Sequence, residues 1–130
     1  SADQVERLIV ASGGHLRGLL GLVRDVLIRA RRASVPVADD VVEAAIAEFG
    51  ERRRAGVRAD AVLLDGVRRT FGIDHVDDAQ LARLARHLDS HLVLCYRNGA
   101  GWYDVHPAVR EYVRRLAEAE SSPDQDDGER

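Results

Sequence analysis

The chain has 130 residues, 45% of them apolar and 32% charged, with one cysteine and no methionine. It is long enough for one ordinary domain or two very small ones, a single thiol excludes an internal disulfide framework, and no apolar run approaches a membrane span. The net charge of −3 is local: Asp124, Asp126, Asp127 and Glu129 crowd the last seven residues, while residues 1–120 carry 18 arginines and 18 acids, so the body lacks a global electrostatic footprint for nucleic acid.

Taken in order, Ala2 to Ser12 reads as a short helix with Val5, Leu8 and Ile9 on its apolar side. Gly13-Gly14 ends it, because glycine takes the left-handed conformation without strain. A second helix is predicted from about His15 to Ala33, with Leu16, Leu19, Leu20, Val23, Val26, Leu27 and Ala30 at helical spacing. Ser34-Val35-Pro36-Val37 breaks it. Asp40-Val-Val-Glu43 has the spacing of a capping box for a third helix, whose stripe is Val42, Ala45, Ile46 and Phe49. Arg52-Arg53-Arg54 makes a basic turn at its end, read as a solvated turn favourable to the helix dipole. A fourth helix covers roughly Arg58 to Thr70, burying Leu63, Leu64, Val67 and Phe71, with Gly72 closing it. Asp77 or Asp78 caps a fifth, lined by Leu81, Leu84, Ala85 and Leu88.

The stretch LVLCYRNGAGWYDVH then reads as a hairpin turning at Asn98-Gly99-Ala100-Gly101. Pairing Arg97 with Trp102 sets Tyr96 opposite Tyr103 and Leu94 opposite Val105, all on one face. Pro107 opens a last helix with Val109, Tyr112, Val113 and Leu116 as its stripe. From Ser121 the chain turns polar and acidic. The order predicts a mainly α fold: a helical bundle followed by a winged-helix-like unit with one β-hairpin.

Walker A, Gly-x-Ser-x-Gly and Cys-x-x-Cys patterns do not occur, and no carboxylate pair suggests a shared cleft, so no catalytic residue is assigned. His87 and His91 are four apart with Cys95 nearby, but a His-Glu-x-x-His arrangement is missing and a strand turns Cys95 away, so no metal site is assigned. Two spots stand out. In Ser12-Gly13-Gly14-His15-Leu16-Arg17, a glycine turn delivers Arg17 to the first turn of a long helix, where a guanidinium can reach an anion; the bland alternative is a glycine cap followed by a surface arginine. His106 stands where a strand becomes a helix N-terminus, a place that attracts phosphate; its bland alternative is a simple helix cap.

The two spots together resemble a known pattern. ASGGHLRGLLGLVRDVL is similar to the lid of AAA+ and STAND P-loop ATPases, where a small-residue turn precedes the sensor 2 arginine, here Arg17. WYDVHPAVREYVRRL looks like the close of a STAND winged-helix domain, Val105-His106-Pro107 standing where that family has Met-His-Asp, with Pro107 replacing the Asp. The resemblance implies a lid-like helical segment over 1–37 and a winged-helix-like domain over 38–120, while the polar, acidic composition of 121–130 predicts a disordered tail. The resemblance also implies a non-catalytic regulatory module that relays nucleotide state. The chain alone holds no cofactor; ATP or ADP would be bound in the parent protein and sensed through Arg17 and His106. The implied partners are an upstream P-loop ATPase domain and a protein effector. The lack of methionine fits a piece of a longer protein, with Ser1-Ala2 a cloning remnant. A cytoplasmic protein without a membrane partner is expected.

Two rival readings remain. As a DNA-binding winged helix, the chain would present Arg83, Arg86 and His87 from a recognition helix over Asp78 to Asp89, with Arg97 of the wing on phosphate. As a protein-interaction module, it would use an exposed Trp102.

Overall fold

The computed structural model describes residues 1–31 and 36–122. Its elements are α1 (Ala2–Ala11), α2 (Leu16–Ala30), α3 (Asp39–Arg53), α4 (Ala61–Thr70), α5 (Asp78–Asp89), an antiparallel hairpin of β1 (Val93–Tyr96) and β2 (Trp102–Val105), and α6 (Arg110–Ser121). The fold is mainly α with one hairpin. Among the described residues no helix is long and apolar enough to cross a membrane. The predicted break at Ser34-Val35 and nearly all of the predicted acidic tail lie outside the described residues.

Two apolar clusters carry the fold. Leu8, Leu22, Val26, Val42, Ala45 and Phe49 join α1, α2 and α3. The second is built on Leu64 and Val67 of α4, Leu84 of α5, Val93 and Val105 of the hairpin, and Val113 of α6. The clusters meet where α3 lies against the 3-10 turn Pro107–Val109: a Cβ on Gly50 would stand 2.9 Å from the Ala108 carbonyl oxygen, so the two backbones touch. The packing therefore divides after α3, and α3 shares its core with residues 1–37.

Helix ends follow local chemistry, with two departures from expectation. Gly13 and Gly14 take φ of 67° and 74° and close α1 as predicted. However, α3 starts at Asp39 with Ala38 as an uncapped N-cap, and the predicted capping box does not form. Its acids are spent on α1 instead: Gln4 donates to Asp39 Oδ1 at 2.8 Å, and Glu43 pairs with Arg7. At the end of α4, Phe71 itself adopts the left-handed conformation, φ 54°, a step before Gly72. Its ring is consequently exposed and meets Trp102 edge-on at 5.8 Å. In α5 an Asp77–Gln80 capping box forms, but the buried face is Leu84 and His87, with Leu81 exposed.

The hairpin exists, one residue out of the predicted register. Val93 pairs with Val105, Leu94 with Asp104, Cys95 with Tyr103 and Tyr96 with Trp102. Tyr96 and Tyr103 thus lie on opposite faces. The connection spans residues 97–101, with Gly99 at φ 86° and Gly101 at φ 77°, longer than the turn assumed from sequence. Two contacts fix the observed pairing. The Tyr96 hydroxyl donates to the Gly13 carbonyl at 3.0 Å, and the Tyr96 ring stacks on Trp102 at 4.3 Å.

Candidate functional site

An open cleft of about 390 Å³ lies between α2, the end of α3 and the loop after α5. Four arginines line it: Arg17 and Arg24 from α2, Arg52 and Arg53 from α3. The elements place them by periodicity. Seven residues separate Arg17 from Arg24, two helical turns, so both leave the same side of α2. Gly18 is buried beside the Phe49 ring, which would stand 3.4 Å from a Cβ added there. The ring in turn carries the Arg53 guanidinium, 3.4 Å from its centroid, while Arg53 Nη1 donates to the Phe49 carbonyl at 3.1 Å. Arg53 is therefore held flat at the C-terminus of α3, stacked and capping. Arg52 is partly neutralised by Asp25 at 2.7 Å. Among the described residues, Arg17 and Arg24 have no ion pair, and both are exposed.

Two histidines complete the wall. His15 is the N-cap of α2, its Nδ1 accepting the Gly18 N–H at 3.3 Å. Its ring lies 4.0 Å from that of His91, a residue held at φ 61°. Burial lowers the His15 pKa, and His91, Arg17 and Arg53 lower it further. At neutral pH the cleft therefore combines fixed guanidinium charge with an uncharged imidazole that an anion would help to protonate. This arrangement suits a multiply charged oxyanion such as a phosphate chain.

The predicted site residues fare differently. Arg17 is exposed on the cleft. His106 is not exposed: it is 1% accessible, packed 5.5 Å from the Phe49 ring. Its Nδ1 accepts from the Ala108 N–H at 3.1 Å, capping the 3-10 turn, and its Nε2 lies against the turn at Gly13. Burial is the main reason its pKa falls to about 4. The expectation that a nucleotide is sensed through both Arg17 and His106 fails for His106, because the chain's own turn at Ser12-Gly13 covers the ring. Among the proposed DNA contacts, His87 is buried with Nε2 2.8 Å from Asp60, and Arg83 pairs with the same carboxylate at 3.0 Å. Arg86 and Arg97 are exposed. Trp102 is half-buried rather than exposed, stacked on Tyr96 and donating to Asn98 at 2.6 Å. His87, His91 and Cys95 take separate surroundings, and no group of three potential metal ligands occurs among the described residues.

The convergence of Arg24, Arg52, Arg53, His15 and His91 with Arg17 was missed in the sequence. The arginine run at 52–54 was the available signal, but only the fold brings it opposite α2. Comparison with protein-family models, curated proteins and solved structures finds no match to this chain.

Proposed function

We propose that this chain is a non-catalytic regulatory module, the lid and winged-helix region of a STAND/AAA+-type P-loop ATPase, which contacts the phosphates of a nucleotide held by the ATPase domain. The carrying observation is the arginine-lined cleft with Arg17 exposed at the start of α2. A guanidinium presents a planar fork suited to phosphate oxygens, and three further arginines supply charge without a Gly-rich cradle. The chain itself would neither hydrolyse ATP nor bind it tightly. ATP or ADP belongs to the parent protein, the partners being the P-loop domain and a protein effector. A cytoplasmic location accords with this reading.

His106 has no part in the nucleotide contact; it is a structural cap. Contact with the phosphates therefore falls to Arg17 and its neighbouring arginines.

The test is a titration of the chain with inorganic tripolyphosphate, followed by backbone amide and imidazole NMR shifts. Weak, salt-sensitive shifts should cluster at His15, Arg17 and Gly18 and vanish in Arg17→Ala. Shifts elsewhere, or none, would overturn the phosphate contact. A Walker A and Walker B pair in the parent gene upstream of residue 1 would test the ATPase assignment separately.

A further inference from the structure

The outer face of α2 is apolar where a solvated helix should be polar. Leu16, Leu20, Val23 and Leu27 are 36–67% exposed. Their spacing of four, three and four aligns them in one row along the helix, the row that a packed helix would cover. The core of α1, α2 and α3 takes the neighbouring face of the helix, through Leu19, Leu22 and Val26. So α2 has two apolar faces, and only one is covered within the described residues. An uninterrupted exposed seam of this kind marks a contact surface.

The charges beside the seam indicate what it accepts. Arg17, Arg24 and Arg31 recur every seven residues along one edge, and all three are exposed. The acids of α1 do not offset them: Asp3 and Glu6 line a separate groove with Arg7 and Glu43 of α3. A second copy of the chain is a poor occupant. Packed antiparallel, it would lay one arginine edge against the other. Packed parallel, it would set the arginines against Leu19 and Val26, which belong to the core.

We infer that the seam on α2 docks an amphipathic helix of a partner protein that carries acidic residues along one edge. Leucines or isoleucines of that helix fill the row from Leu16 to Leu27, a span of about 16 Å, or three turns. Its carboxylates meet Arg17, Arg24 and Arg31. The apolar row itself lies off the cleft, which none of Leu16, Leu20, Val23 and Leu27 lines, but Arg17 and Arg24 belong to both, so an acidic helix and a phosphate chain would compete for those two guanidiniums.

The probe is a fluorescein-labelled designed helical peptide of about sixteen residues, long enough to cover the seam, with leucine at the seam positions and glutamate along the edge. A twin peptide carries lysine instead. Fluorescence anisotropy with the unmodified chain should show saturable binding of the glutamate peptide and roughly tenfold or more weaker binding of the lysine twin. Leu20→Gln should weaken the glutamate peptide by roughly tenfold, and Arg24→Glu should reverse the preference between the two. Both positions are exposed, so circular dichroism should find the variants folded. Equal binding of the twins, no binding of either, or affinity that survives Leu20→Gln would overturn the inference. So would sedimentation showing a dimer of the chain itself that Leu20→Gln dissolves. Weaker tripolyphosphate binding in Arg52→Ala, a cleft residue on α3 away from the seam, with glutamate-peptide binding unchanged, tests the cleft alone.

Discussion

The Asp60 carboxylate sits 2.8 Å from His87 Nε2, pinning α5 to the 3-10 turn that precedes α4. Its second oxygen takes Arg83 at 3.0 Å. Both Asp60 and His87 are largely buried, so removing Asp60 leaves the His87 ring without its partner. Asp60→Ala should therefore lower the unfolding free energy by about 1–3 kcal/mol. Urea denaturation of the two proteins at neutral pH measures it, and an unchanged midpoint would show the pair to be incidental.

The same contact bears on DNA. Two of the side chains a recognition helix would offer are turned toward Asp60. The chain should bind duplex DNA weakly or not at all at physiological salt, since non-specific affinity rests on spare cations meeting phosphates. Submicromolar affinity, steeply salt-dependent and abolished by Arg83→Ala with Arg86→Ala, would restore the DNA-binding reading.

His106 makes stability depend on pH. Its pKa is depressed from 6.5 to about 4, so the unfolded chain binds a proton that the folded one refuses across that interval. The stabilisation is complete above about pH 6.5 and is lost as pH falls toward 4; taken in full it amounts to roughly 3 kcal/mol. His106→Asn retains an acceptor for the Ala108 N–H while removing the titration. Its unfolding free energy should fall less steeply than the native chain's between pH 6.5 and 4.5, and parallel profiles would refute the assignment.

Gly50→Ala should be costly for a different reason. The added methyl would press on the Ala108 backbone oxygen at 2.9 Å, and backbone cannot rotate away as a side chain can. A loss of about 1–3 kcal/mol is expected. Gly21→Ala, on the same kind of helix but with nothing within 4 Å, is the matched control and should be neutral or stabilising.

Tripolyphosphate binding in the cleft should strengthen as pH is lowered from 8 to 6. A bound anion favours protonated His15, which burial and its cationic neighbours otherwise keep neutral. His15→Gln should flatten that dependence. A His15→Gln profile parallel to that of the native chain would mean the anion binds elsewhere.

Helix number, order and most boundaries were legible because the apolar residues recur at 3.6 spacing and Gly13-Gly14 and Asp77 mark ends. The hairpin register was not. Face-matching by hydrophobicity treats the turn as tight, whereas Gly99 and Gly101 at positive φ form a wider connection, and Tyr96 answers to Gly13, 83 residues away in sequence. The same long-range logic hid the fate of His106. Nothing near it in sequence announces that the Ser12 turn will cover its ring. Arg17 could be picked out by its local setting, but the cleft around it joins three separate segments of chain, and no single window contains that information.

The meeting of Gly50 with Ala108 has a mechanical consequence. Backbone rests on backbone there, without intervening side chains whose rotamers could give. Such a joint transmits load and does not flex. Phe49, the neighbour of Gly50, forms part of the cleft wall, and Ala108 lies three residues beyond the end of β2. The cleft wall and the segment leading out of the hairpin are thus joined at a point where neither backbone has room for another atom.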